Sequence, residues 1–229
     1  MGGDLVALVF EGGHAMEGVE GQMAFVRREI CVDTLERLLA SPSLASVILV
    51  TSDTELGSRA EGLGAAVELT ETRGFRMGPW LLEFVRRRGP AGVICLGGAS
   101  APLASEDDFG RIVRSLAGSD SVVVANNLYS ADIVAFKPAV ALERVPLPDH
   151  DNFLAYLLNE AGLRAVVLPD GPTYGFDIDT PIDVALFASH LRAGSRGRRA
   201  AEKVGWGAGL LSEAMERLRR PHPRVFLSG

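Results

Sequence analysis

The sequence predicts an α/β fold of three layers built on a mixed, mostly parallel sheet, with a basic helical extension at the C-terminus. Three observations predict it. Short, continuous, β-branched runs of the kind buried in a sheet covered on both faces alternate with helical patterns almost from end to end. The 229 residues are 47% hydrophobic with a mean hydropathy of +0.18, enough apolar material for one sizeable core. The net charge of -6 is also unevenly divided: residues 1–191 hold 14 of the 23 Lys and Arg and 26 of the 29 Asp and Glu. Residues 1–191 therefore read as one acidic α/β domain, and 192–229 as a basic linker and helical tail.

The strand candidates are Leu5–Phe10, Val47–Thr51, Ala66–Leu69, Val93–Leu96, Val122–Ala125, Ile133–Phe136 and Ala165–Leu168. Between them, Cys31–Leu39 places Leu35, Leu38 and Leu39 on one helical face, and Thr54–Leu63 forms a second helix. Pro79–Arg88 turns Leu82 and Val85 inward and ends on three arginines, which suit the negative end of the helix dipole. Ser105 reads as the N-cap of the next helix, ahead of Glu106, Asp107 and Asp108. Asn152–Glu160 and Pro181–Leu191 complete the series. Only about seven residues, with no helical pattern, separate the fifth and sixth strands, too few for a crossover. That pair is not expected to be a standard crossover, and the sheet is expected to be mixed.

Several functions are excluded or set aside by composition. An acidic body opposes a phosphate backbone, so nucleic acid is not the expected partner. The longest uncharged run, Gly89–Ser105, is interrupted by Pro90 and Pro102, so no membrane partner is expected. No basic, apolar leader opens the chain, and the expected location is the cytoplasm. Cys31 and Cys95 lack the close spacing of a zinc site or a disulfide framework and read as buried hydrophobes.

In a sheet of this kind, ligands bind just beyond the C-terminal ends of the strands. The first such loop, Glu11–Gly21, is rich in glycine, and Gly12 and Gly13 would let backbone amides approach a phosphate. Arg27 and Arg28 follow it and could supply positive charge. Gly98-Ala99-Ser100-Ala101-Pro102, after the fourth strand, comes within one residue of a nucleophile elbow, which leaves a serine hydrolase acting through Ser100 as one reading. Near the end of the domain, Phe176-Asp177-Ile178-Asp179-Thr180-Pro181-Ile182-Asp183 carries two carboxylates two residues apart. If this stretch is extended, Asp177 and Asp179 share a face that a divalent cation would stabilise, while Ile178 points away. Thr180, Pro181 and Asp183 read as N-cap, N1 and N3 of a helix.

Taken in order, these loops resemble the GT-A-like nucleotidyltransferases, especially 2-phospho-L-lactate guanylyltransferase and the molybdenum-cofactor guanylyltransferase (MobA-like) group. The resemblance spans residues 5 to about 191. It rests on Leu5–Gly13, on Val47–Asp53 with Gly64–Val67, on Arg73-Gly74-Phe75, on Val93–Leu103 and on Asp177–Asp183, the last similar to the family's Asp-x-Asp-Thr-Pro-Glu-Asp. It implies a Rossmann-like mixed sheet and transfer of a nucleoside monophosphate from an NTP, with GTP favoured, to a small phosphorylated acceptor. Gly12, Gly13, Ser52, Asp53, Gly74 and Ser100 are then expected to contact the nucleotide. Asp177 and Asp179 would hold Mg2+, and Arg27, Arg28 and Asp179 would serve the transfer. The chain departs from the family at Ser100-Ala101-Pro102, where an Asp-x-Pro is usual and a hydroxyl replaces a carboxylate. Asp132 likewise stands where the family has Asn. A homologue that binds a nucleotide without turning it over is therefore the alternative. The basic tail is expected to pack on an acidic surface, in the same chain or in a homodimer mate.

Overall fold

In the computed structural model, residues 4–12, 17–71, 75–147, 153–169, 171–206 and 208–219 are described. Seven strands form a single sheet in the order β3-β2-β1-β4-β6-β5-β7. They are β1 (Leu5–Glu11), β2 (Ser46–Thr51), β3 (Ala66–Leu69), β4 (Gly92–Gly97), β5 (Val122–Ala125), β6 (Ile133–Lys137) and β7 (Arg164–Val167). β6 runs antiparallel to both β4 and β5, and every other pairing is parallel. The mixed sheet expected from the short β5–β6 connection is therefore present, and the pair is antiparallel.

Alternation along the strands divides the core into two faces. Leu5, Ala7 and Val9 of β1 pack with residues of α1 (Gly18–Leu39), α2 (Thr54–Leu63) and α4 (Glu106–Ala117). Val6 and Leu8 pack on the other side with α3 (Met77–Arg88) and α5 (Leu154–Glu160). In α3 the buried positions are Leu81, Phe84 and Val85, with Leu82 only partly covered. A short α6 (Pro172–Gly175), α7 (Pro181–Ser189), α8 (Ser195–Val204) and α9 (Ala208–Arg219) complete the described chain. Among the described residues, no helix is long and apolar enough to cross a membrane.

Two sequence expectations need correcting. α1 begins at Gly18, well before Cys31, with Gly18 at φ +67° opening it and Gly21 inside the first turn, so the first loop is shorter than the glycine pattern suggests. Glycine disfavours helix by about 1 kcal/mol per residue. Here burial of Val26 and Ile30 against the helices that follow outweighs that cost. The second correction concerns Ala193–Arg199, which reads as a linker but is helical from Ser195 onward. Asp33, buried on α1, accepts the backbone N–H of Gly197 at 2.9 Å and that of Arg196 at 3.3 Å, and so caps α8 from outside its own sequence. Arg196 pairs with Glu36 and Asp33, and Arg192 with Asp108, so basic groups of this segment meet acidic groups of the same chain.

Candidate functional site

The C-terminal ends of β1, β2 and β4 open onto two cavities, with Phe10 lining both. The first, about 280 Å³, lies at the ends of β1, β2 and β3 and is lined by Gly12, Thr51, Ser52, Thr70, Glu71 and Phe75, among others. The second, about 200 Å³, lies beyond β4. It is walled by Phe10, Met77, Leu96, Val134 and Leu154, and its polar side chains are Ser100, Asp132 and Asp177. Phe10 is braced by Trp80 in an edge-on contact at 5.7 Å and by Phe75 at 6.2 Å.

The segment carrying Asp177 and Asp179 is held in three ways. Ile178 between them is fully buried in the apolar cluster that joins α1, α7 and α8. Ala101 donates its N–H to the Phe176 carbonyl at 3.1 Å, which ties the segment to the loop after β4. Arg27 donates to the Ile178 carbonyl at 2.8 Å. Downstream, the Asp183 carboxylate accepts the Thr180 N–H and hydroxyl, at 2.8 and 2.7 Å, closing the capping box expected at the start of α7.

Arg27 also donates to Glu11 at 3.3 Å and lies 3.9 Å from Asp179. Burial opposes its charge, but Glu11, Asp177 and Asp179 outweigh that and hold the guanidinium more firmly protonated than usual. Glu11 is buried, and burial pushes its carboxyl above the ordinary range although Arg27 pulls it down. Burial also raises Asp177, with Asp179 and Asp132 adding to the rise, while the Ile178 N–H and Arg27 act the other way. Asp179 is 74% exposed.

The remaining expected site residues fall into separate places. Gly12 and Ser52 line the first cavity, and Ser100 the second. Gly13 and Gly74 lie outside the described residues. Asp53 caps α2, accepting the N–H groups of Glu55 and Leu56 at 3.0 Å each. Arg28 stands 2.6 Å from Asp53 in an ion pair, so the structure occupies these two with each other and with the start of α2. Ser100 is 6% exposed, and among the described residues it has no hydrogen bond to a histidine, as a hydrolytic serine would need.

Two members of the site have no place in the sequence reading, and a third, Asp132, enters it only as a departure from the family pattern. Asp132 just precedes β6, and the pairing of Ile133 with Leu96 puts it beside the end of β4. Asn126 brackets it, donating to its carboxylate at 2.9 Å and accepting the N–H groups of Asp132 and Ile133. The two without a place are Phe10, the aromatic divider, and Glu71, in the first cavity.

Among the described residues, no group of three or more His, Cys, Asp and Glu side chains could by itself hold a metal ion. Asp177, raised by burial and then by Asp179 and Asp132, nevertheless fits one role for a divalent cation. Mg2+ commonly binds through one or two carboxylates, with substrate phosphates completing its shell. The residues thus suit an ion that arrives with a nucleotide and do not suit one caged by protein alone.

No protein-family model matches the chain, and no curated protein resembles it in sequence. Solved structures do resemble it in fold. A candidate nucleotide-diphospho-sugar transferase from Desulfovibrio desulfuricans G20 superposes with a TM-score of 0.65 at 15% identity, covering 91% of this chain and 97% of the other. A cytidylyltransferase from Leptospira borgpetersenii gives 0.58 at 14%, covering 97% and 99%. The CMP:2-keto-3-deoxy-manno-octonic acid synthetase in complex with CTP gives 0.54 at 14%, covering 92% and 99%. The fold is therefore that of the nucleotide-diphospho-sugar transferases, as the resemblance implied.

Proposed function

We propose that the chain is a nucleotidyltransferase that moves a nucleoside monophosphate from an NTP to a small acceptor and releases pyrophosphate. One observation carries the reading: Arg27 pins the segment that carries Asp177 and Asp179, and Asp177 lines the cavity beyond β4, which shares Phe10 with the cavity at the ends of β1 and β2. The first cavity suits a base, because Phe10 and Phe75 offer aromatic surface. Its Glu71 supports GTP: guanine presents two adjacent N–H donors to a carboxylate, whereas cytosine sets an acceptor beside its amino group. Gly12 would let backbone approach the phosphates. The second cavity is then the place for the acceptor.

In the transfer, an acceptor oxygen attacks the α-phosphorus, the bond to the β-phosphate oxygen breaks, and pyrophosphate leaves. Mg2+ held by Asp177 and Asp179 would supply charge neutralisation at the triphosphate. Arg27 fixes the backbone that carries both carboxylates and keeps a positive charge beside Asp179. Arg28 remains committed to Asp53. The resemblance favours an acceptor that carries a phosphate and a reaction in the cytoplasm, where NTPs are abundant.

A second reading is favoured by Ser100, a hydroxyl where a carboxylate is usual: the protein binds a nucleotide without turning it over. Calorimetric titration with GTP and with CTP, each with and without Mg2+, separates the two when combined with a pyrophosphate assay. Mg2+-dependent GTP binding with pyrophosphate release supports the enzyme. Binding that ignores Mg2+ and yields no pyrophosphate supports the second reading, tighter binding of CTP overturns the base assignment, and no binding of either nucleotide defeats both.

A further inference from the structure

The cavity beyond β4 has a chemical character that neither the fold nor the nucleotide reading requires. Its walls are apolar and aromatic, its polar side chains are one hydroxyl and two carboxylates, and among the described residues no lysine, arginine or histidine lines it. At about 200 Å³ it has room for roughly six or seven water-sized groups of ~30 Å³ each, enough for a small substituent and too little for a whole nucleotide. Two like charges facing one small, largely apolar space are unfavourable unless a cation lies between them. Asp132 is also oriented in advance, since Asn126 holds one of its oxygens and its backbone N–H. Phe10 adds an aromatic surface, which attracts cations and does nothing for anions.

The geometry points to a cavity that receives the ammonium end of the acceptor. The acceptor is thus a small amine-bearing phosphomonoester, its phosphate kept at the mouth on the Arg27 side and its amine inserted between Asp132 and Asp177. An inserted phosphate would meet two carboxylates and no counter-charge. A neutral hydroxyl could accept or donate a hydrogen bond but would leave the repulsion between the carboxylates in place. Asp132 is the recognising carboxylate, because Asp177 also serves the nucleotide's cation. That the ligand is an acceptor and carries a phosphate rests on the nucleotidyltransferase reading; the preference for a cation does not.

Binding of 2-aminoethyl phosphate, 2-hydroxyethyl phosphate and ethyl phosphate to the full chain, followed by calorimetry or ligand-observed NMR, tests this without any nucleotide present. The amine is expected to bind at least about tenfold more tightly than the isosteric alcohol, the size of one charge-assisted hydrogen bond. Asp132→Asn keeps an acceptor for Asn126 and should abolish that preference. Asp177→Asn gives a second variant, and thermal melts confirm that each is folded. Equal affinities for the three probes, or a preference that survives in folded Asp132→Asn, overturns the proposal. So does Mn2+ binding that depends on Asp132 and excludes the amine. Should the amine preference hold while GTP fails to bind, the cavity assignment stands and the nucleotidyltransferase reading falls.

Discussion

Gly98 shows how tightly the residues beneath the site are fitted. A Cβ at this position would lie 2.7 Å from both Cys31 Sγ and Glu11 Oε2, on buried elements that have nowhere to move. Gly98→Ala should therefore cost about 1–3 kcal/mol of stability, as overpacking does, read as a lower denaturation midpoint with unchanged slope. Asp108 is a residue whose environment sets a pH dependence. Burial alone would raise its carboxyl, but the Ser105 hydroxyl and N–H and the Arg192 charge prevail and hold it below its ordinary 3.8. A depressed folded value means that the stabilisation is complete above 3.8 and is lost as pH falls through the folded value. Urea midpoints measured down the acid range should thus fall more steeply for the native chain than for Asp108→Asn. The Ser105 to Asp108 cap was legible in the sequence because its partners lie three residues apart. The contribution of Arg192, 84 residues away, was not.

At the scale of elements, two helices illustrate what local pattern can and cannot convey. α7 starts where the sequence places it, because Thr180, Pro181 and Asp183 satisfy its first turn among themselves. α8 has no such device of its own: Gly194 precedes it with no side-chain cap, and Asp33 of α1 accepts its first N–H groups instead. Asp33→Ala should destabilise the protein by about 1–2 kcal/mol, the worth of a strong N-cap. Amide hydrogen exchange should speed up in residues 195–204 while leaving β1 and β4 protected; uniform acceleration over the sheet would mean that α8 is not the element being capped. α1 was misjudged for a related reason. Gly21 in its first turn is a poor helix former, and the packing of Val26 and Ile30 further along outweighs that.

For the whole molecule, the basic C-terminal segment belongs to the body as far as α8. Gly197 sits so close that a Cβ there would meet Ile30 at 2.6 Å and the Phe187 ring at 3.0 Å, and Ala200 and Ala201 are buried in the same cluster. A chain ending at Arg192 should lose about 3 kcal/mol or more, because Ile30 and Phe187 would return to water. Chemical denaturation and binding of a hydrophobic dye would report it; an unchanged midpoint would show the segment to be dispensable. That cluster also contains Ile178, so the tail helps to seat the two carboxylates at the mouth of the site. The sequence by itself determined the succession of strands and helices through most of the chain, the mixed sheet, and the caps of α4 and α7. All of these are set by periodicity and by partners a few residues apart. Only the tertiary structure decided that Arg27 pins that segment while Arg28 turns to Asp53, that Asp132 shares a cavity with Asp177, and that the basic tail closes on Asp33. These depend on strand order and helix packing, which join residues far apart in the chain through burial and charge that no local spacing records.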